Sequence, residues 1–143
     1  MLWQNVLRTF VGEFRVQSHI YRDNEKCTFP GVQTGALVNN GRGVMAQYIA
    51  NSAEAEPVRM QGMLTYNSSK SRFECAWAGS NVEGIVYYHG QLENEKLVLS
   101  QATSDSDRRV MTTEFLDDDH FNVLLNPGMT FPDYQSVSEF SRL

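Results

Sequence analysis

The sequence has few of the residues that form metal sites, disulfide frameworks or covalent catalysts. Its two cysteines, Cys27 and Cys75, are far apart and lack a metal-type spacing, so we expect free thiols, with a single disulfide as the alternative. The three histidines, His19, His89 and His120, lie in different predicted strands without any paired spacing. Serine-hydrolase, zinc-protease, phosphate-loop and dithiol motifs are also missing. The sequence therefore predicts neither a bound metal nor a cofactor.

Basic charge and long apolar runs are equally scarce. The 143 residues include 12 Lys and Arg against 17 Asp and Glu, a net charge of −5, which argues against a nucleic-acid partner. The pair Arg108-Arg109 fits a solvated strand end. No apolar run is long enough to cross a bilayer, and the first residues lack the features of a signal peptide. We therefore expect a cytoplasmic protein of one domain, residues 1–143, with no membrane partner.

The sequence does contain a nearly continuous series of short segments in which apolar and polar residues alternate. Polar turns such as Asn39-Asn40-Gly41 separate the segments, and most separations are too short for the crossover that parallel strands need. Alternation of this kind predicts strands rather than helices. The predicted strands are 13–22, 32–39, 43–51, 57–67, 71–78, 81–92, 96–103, 108–117, 119–126 and 133–142.

Only the first residues have a helical pattern. Apolar residues at positions 2, 3, 6, 7 and 10 predict a short amphipathic helix that closes one end of the sheet. Regularly spaced strands after it predict an all-β fold, an antiparallel up-and-down β-barrel of eight to ten strands with a short N-terminal helix. The alternative, an α+β cone with three helices on a curved sheet, requires more helix than this one stretch supplies.

A small barrel encloses a lumen, and the aromatic residues suit the lining of a ligand site. The chain has eight Phe, six Tyr and two Trp, and the polar tips of Tyr and Trp fit a partly wet pocket. We therefore predict binding of a small, largely apolar molecule. The alternation leaves open which face of each strand points inward. The predicted lining residues are Tyr48, Gln61, Met63, Trp77, Tyr87 and His89.

Two acidic residues within apolar strands introduce an enzymatic alternative. Burial of Glu74 or Glu114 among apolar groups would raise the pKa of the carboxyl toward neutrality, whereas an outward position would leave it solvated. With Tyr87 as a third proton donor, these groups predict a cofactor-independent cyclase or isomerase that acts on a hydrophobic biosynthetic intermediate. A third hypothesis is a filled barrel that forms a homodimer through an edge strand near Pro127.

Several short motifs occur in a fixed order along the chain. The residues that carry them are Val11-Gly12-Glu13-Phe14, Asn40-Gly41-Arg42, Tyr48, Gly62, Tyr66-Asn67 and Trp77. Together they resemble a bacterial lipocalin-like family known as domain of unknown function 1579, with Phe14 and Asn40 in place of that family's usual Trp and Gly. The resemblance implies a calycin-type barrel. Because the family has no agreed reaction, the resemblance implies no catalytic residues.

Overall fold

In the computed structural model, the described residues form one short α-helix, one 3-10 turn at Asn39–Gly41 and ten strands. The structure describes residues 1–22, 24–51, 56–80, 82–104, 108–126 and 135–143. Helix α1 spans Trp3–Thr9, and strands β1 to β10 span Gly12–Arg22, Glu25–Val38, Gly43–Ala50, Val58–Asn67, Arg72–Gly79, Val86–Glu93, Lys96–Gln101, Val110–Asp117, His120–Asn126 and Gln135–Arg142. Each strand pairs antiparallel with its neighbours in sequence, and β10 pairs with β1. The sheet is a closed barrel, which confirms the predicted fold class.

Strand β2 departs most from its predicted bounds. It begins at Glu25 instead of residue 32 and runs through Pro30. The Pro30 carbonyl accepts a hydrogen bond from the Asn51 N–H, 3.1 Å away, so the Pro30 nitrogen faces the same side, just beyond Ala50 at the end of β3. A proline is tolerated at this position because no neighbouring strand needs the missing N–H. Pro30 therefore lies within the hairpin instead of ending the strand.

Alternation along the strands gives the barrel an inner and an outer face. Phe14 of β1 stands opposite Gln33 of β2, and both are buried on the inner face. Part of the interior is filled by phenylalanine rings: the Phe121 centroid lies 5.2 Å from Phe14 and 4.5 Å from Phe140. Edge-to-face and offset-stacked pairs of this kind add to the stability that burial alone provides.

Helix α1 closes one end of the barrel. Val6 and Leu7 are fully buried in one core cluster with Phe73 of β5. The Trp3 ring stacks on Tyr66, with the two centroids 5.1 Å apart. A helix of seven residues has little stability of its own, so its position depends on these contacts. Neither α1 nor any other described helix has the length and apolar character needed to cross a bilayer.

We call the end of the barrel opposite α1 the mouth; by the strand bounds, four of the five connections at this end are longer than those beside α1. These four connections are residues 51–57, 80–85, 102–109 and 127–134. The edge expected near Pro127 is not open on the described strands, because β10 pairs with β9 on one side and with β1 on the other. Pro127 itself lies outside the described residues, and the homodimer stays a prediction.

Arg142, at the end of β10, ties the chain's last strand to α1. Its guanidinium donates to the backbone carbonyls of Thr9 and Val11 and to the carboxylate of Asp119. It also lies over the Phe14 ring, 4.7 Å from the ring centroid. Carbonyls at the C-terminus of a helix lack partners within the helix, so a donor at this position completes α1.

Replacing Arg142 by alanine should destabilise the barrel, because it removes charged hydrogen bonds and leaves the carbonyls at the end of α1 unpaired. We expect the free energy of unfolding, measured by urea denaturation, to fall by about 2–3 kcal/mol. Arg15→Ala, on the exposed outer face of β1, is the matched control and should change it by less than about 0.5 kcal/mol. Equal losses in the two variants would contradict the anchoring role.

Candidate ligand-binding site

A cavity of about 110 Å³ lies inside the barrel, next to the phenylalanine rings. Its walls come from strands all around the barrel, and Gln33 and Thr113 contribute polar side chains to an otherwise apolar lining. Enclosed apolar cavities stay dry and accept apolar guests, whereas a buried water needs several polar partners. Lining side chains include Val44, Ala46, Leu97, Leu99, Met111 and Val123.

Trp77 borders this cavity, and Gly62 makes room for its ring. Gly62 stands opposite Trp77 in the pairing of β4 with β5, and a Cβ atom at Gly62 would lie 2.5 Å from the indole. Any side chain at Gly62 would therefore displace the indole from the wall. The chain's other tryptophan, Trp3, is stacked on Tyr66 beside α1. Trp77 is thus positioned to report on the contents of the cavity by its fluorescence.

Three hydroxyl groups form a cluster on the inner wall made by β10, β1 and β3. The Ser18 Oγ atom lies 2.8 Å from the Tyr48 hydroxyl and 2.9 Å from the Ser138 Oγ atom. Three hydroxyls carry three protons and these two contacts use two, so one O–H is left over from the cluster. Burial raises the pKa of Tyr48, and the hydrogen bond with Ser18 opposes this rise. The hydroxyl cluster is therefore a neutral hydrogen-bonding surface inside the barrel.

Tyr88, Gln101 and Arg109 form a second polar group, the Arg109 patch, on β6, β7 and the residue before β8. Tyr88 stands opposite Gln101, whose N–H donates to the Arg109 carbonyl at 2.8 Å, so the three residues form one row across the wall. Tyr88 is buried and Arg109 is half-buried. Burial raises the pKa of Tyr88, and the charge and hydrogen bonding of Arg109 oppose this rise. The guanidinium therefore acts on the Tyr88 hydroxyl within the barrel.

The chain also matches the sequence model of a known protein family. Residues 4–124 match the sequence model of a family described as a protein of unknown function, DUF1579. The chain belongs to this family. The match covers most of the chain and confirms the resemblance carried by the turn and strand motifs. No curated protein matches the chain.

Two solved structures have the same barrel as this DUF1579 member. An S-type phycobiliprotein lyase from Guillardia theta superposes with a TM-score of 0.69 at 11% identity, over 100% of this chain and 93% of the lyase. A de novo designed fluorescence-activating β-barrel superposes with a TM-score of 0.57 at 13% identity, over 100% of both chains. At these identities the likeness shows that the fold is shared. It does not show that the function is shared.

Two of the six predicted lining residues of this DUF1579 member, Tyr48 and Trp77, have inward parity, and a third, Met63, borders the cavity. Tyr48 belongs to the hydroxyl cluster, and Trp77 borders the cavity. Met63 also borders the cavity, but it has the outward parity of Gln61, and its partner in β3, Met45, is 40% exposed. Tyr48 pairs with Met60 of β4, and Trp77 pairs with Gly62, two residues further along the same strand. The two rings therefore face the same side of the sheet, which is the inner wall.

The other three predicted lining residues lie on the outer face. Gln61 is exposed, Tyr87 is 55% exposed, and His89 stands opposite Glu74 on the outside of β5. Adjacent strand residues face opposite sides, so a shift of one residue in the predicted parity moves a whole set from the lumen to the surface. In β6 the inward tyrosine is Tyr88, not Tyr87.

Neither predicted acidic residue reaches the lumen. Glu74 accepts hydrogen bonds from Asn67 at 2.6 Å and from Arg72 at 3.1 Å, and these bonds lower its pKa, the opposite of the predicted rise. Glu114 lies 3.3 Å from the Lys96 ammonium on the outer face. The apolar residues beside each carboxyl in the sequence point to the other side of the wall, so they do not desolvate it. With Tyr87 also outside, the predicted acid–base set does not assemble in the lumen.

The Arg109 patch was not among the predicted lining residues. The prediction of a solvated strand end fits Arg108, which is exposed. Arg109 instead has the inward parity of Met111, which borders the cavity. Spacing by two from an apolar inner residue is the sequence signal for an inward Arg109. Its pairing with Tyr88 has no such signal, because it depends on registers across two hairpins.

Both cysteines are free thiols in very different surroundings. Cys27 is exposed, and Cys75 is buried at the cavity wall. Burial raises the pKa of Cys75 to about 12, and hydrogen bonding with Trp77 opposes this rise in part. Within the part of the chain that the structure describes, no three His, Cys, Asp or Glu side chains come together as metal ligands.

Cys75 should resist thiol reagents in the folded protein, because the thiolate is the reactive species. With a pKa of about 12, roughly one Cys75 in ten thousand is ionised at pH 8. We expect Ellman's reagent to label one thiol per native chain, that of Cys27, and both thiols after denaturation. Cys27→Ser should leave no reactive thiol under native conditions. Fast labelling of Cys75 in that variant would contradict its burial.

Proposed function

We propose that this DUF1579 member binds a small, largely apolar molecule in the barrel lumen. The observation that carries the proposal is the apolar cavity bordered by Trp77, inside a barrel that α1 closes at one end. An empty apolar cavity leaves its lining atoms without contacts on one side, and an apolar guest restores those contacts while leaving water. The mouth opposite α1 is the entry route in this proposal.

The size of the cavity limits the guest. Sites that enclose drug-sized ligands span about 300–1,000 Å³, whereas this cavity has about 110 Å³. An engineered apolar cavity of about 150 Å³ accepts benzene. The buried part of the guest is therefore compact, such as one aromatic ring or a short alkyl chain, and any larger part extends toward the mouth. Removal of about 200 Å² of apolar surface from water contributes about 5 kcal/mol. Association costs part of this, so we expect a dissociation constant of about 0.2 mM or weaker from the apolar part alone.

The two structural neighbours support the proposal by analogy of fold. One is a phycobiliprotein lyase and the other is a designed barrel that activates fluorescence. Both descriptions suit a barrel that holds a small chromophore-like molecule. The support is limited to the architecture, since unrelated functions often use one fold.

The enzymatic alternative, a cofactor-independent cyclase or isomerase, has no supporting observation. Its predicted proton donors, Glu74, Glu114 and Tyr87, are on the outside of the barrel. A general acid or base must come within hydrogen-bond reach of the reacting group. A guest in the lumen is separated from these three side chains by the sheet itself.

Filling the cavity should abolish binding without unfolding the barrel. Ala46→Leu adds three carbon atoms at a buried cavity wall, and we expect at least tenfold weaker binding of 3-phenylpropan-1-ol, a compact neutral probe. The measurement is the change in Trp77 emission in a Trp3→Phe background, checked by calorimetry. Ala36→Leu, the same substitution at an exposed position opposite Met45 on the outer wall, is the control and should bind as the parent does.

Two results would contradict the proposed function. One is unchanged binding by Ala46→Leu, which would place the probe outside the lumen. The other is a parent protein in which 3-phenylpropan-1-ol and other compact apolar probes change neither the Trp77 emission nor the melting temperature. Circular dichroism of each variant shows whether the barrel has folded.

A further inference from the structure

Among the residues that the structure describes, the inner wall of this acidic protein has a positive charge that no carboxylate pairs with. The net charge of the chain is −5. Among the described strand residues that face inward by alternation, however, only Glu25 carries a carboxylate. Glu25 is exposed at the tip of the β1–β2 hairpin, opposite Arg22. Inward of that tip the described cations are Arg142, which pairs with Asp119 beside α1, and Arg109. No described carboxylate forms an ion pair with Arg109. A half-buried guanidinium in this position attracts an anion into the barrel.

The groups around Arg109 are hydrogen-bond donors. The Oε1 atom of Gln101 accepts the Arg109 backbone N–H at 3.2 Å, which leaves the side-chain amide N–H groups of Gln101 to donate elsewhere. The guanidinium offers a planar fork of N–H groups, and the Tyr88 hydroxyl beside it can donate as well. A row of donors with one positive charge matches a carboxylate, which has one negative charge and two acceptor oxygens.

The Arg109 patch lies directly on the mouth side of the cavity. Arg109 is two residues from Met111, and Gln101 is two residues from Leu99; Met111 and Leu99 both border the cavity. Two residues along a strand correspond to about 7 Å. This distance matches a short linker between an apolar group in the cavity and an anionic group at the patch. A guest could therefore use both sites at once.

We propose that the natural guest is a compact amphiphile with a carboxylate, held with its apolar end in the cavity and its carboxylate on Arg109, Gln101 and Tyr88. This inference rests on the proposed function and adds the chemical class of the ligand. The preference is for a carboxylate over a neutral polar end. It arises because the guanidinium is always charged and is already partly withdrawn from water by its place in the wall.

The test compares two probes that differ only at the polar end, 3-phenylpropionate and 3-phenylpropan-1-ol, at pH 7. We expect the parent protein to bind the acid at least tenfold more tightly than the alcohol, measured by calorimetry and by Trp77 emission in the Trp3→Phe background. Arg109→Gln removes the charge and retains a polar side chain, so it should bind both probes with the affinity that the parent has for the alcohol. Arg15→Gln, on the exposed outer face, is the matched control and should keep the full preference.

Each outcome decides between distinct conclusions. Equal affinity of the parent for the two probes, or an undiminished preference in Arg109→Gln, overturns the carboxylate inference and leaves the proposed function standing, because the alcohol still binds. Binding of neither probe by the parent contradicts the proposed function and the inference together. If Arg109→Gln does not fold, Arg109→Lys replaces it. If Arg109→Lys prefers the acid over the alcohol by only about threefold, the result supports a contact between the carboxylate and the planar fork of the guanidinium. A full preference or no preference in Arg109→Lys counts against that contact.

Discussion

The ladder between β1 and β10 is the contact on which the rest of the structure depends. It joins the first and last strands of the chain along their length, from Phe14 opposite Arg142 to Tyr21 opposite Gln135. Without it the sheet would be open, with two unpaired edges and a water-exposed inner face. Closure turns alternation along each strand into an enclosed interior. The cavity, the hydroxyl cluster and the Arg109 patch all exist because the inner face has no access to solvent through an edge.

The two ends of the barrel have different physical roles. At one end α1 places Val6 and Leu7 in the core, and Arg142 of β10 bonds to the carbonyls at the end of that helix. The last strand therefore stabilises the first element of the chain as well as the ladder. At the other end, the mouth, the connections between strands contain more residues. The cavity lies between a sealed apolar base and a mouth, so a guest would meet polar groups on the walls before it reached the apolar volume.

The polar groups on the inner wall are arranged on two well-separated sides. The hydroxyl cluster is centred on β1, and the Arg109 patch is centred on β7, with three strands between them in one direction and five in the other. Polar groups removed from water need partners. In the hydroxyl cluster, the contacts of Ser18 with Tyr48 and with Ser138 use two of the three O–H groups. In the Arg109 patch, as far as the structure describes its surroundings, the donors outnumber the acceptors, and the proposed carboxylate would satisfy this imbalance.

The order of the elements, the antiparallel pairing and the short helix followed from the sequence, because alternation, turn residues and short connections are local properties. The aromatic content and the family motifs were readable in the same way. Which tyrosine of the pair Tyr87-Tyr88 faces inward, and where Glu74 and Glu114 point, was decided by the tertiary structure. A strand that alternates fits equally well with either face inward, and only pairing across the hairpins selects one. The same pairing brings Arg109 to Tyr88, and no local pattern encodes a contact between side chains that lie on different strands.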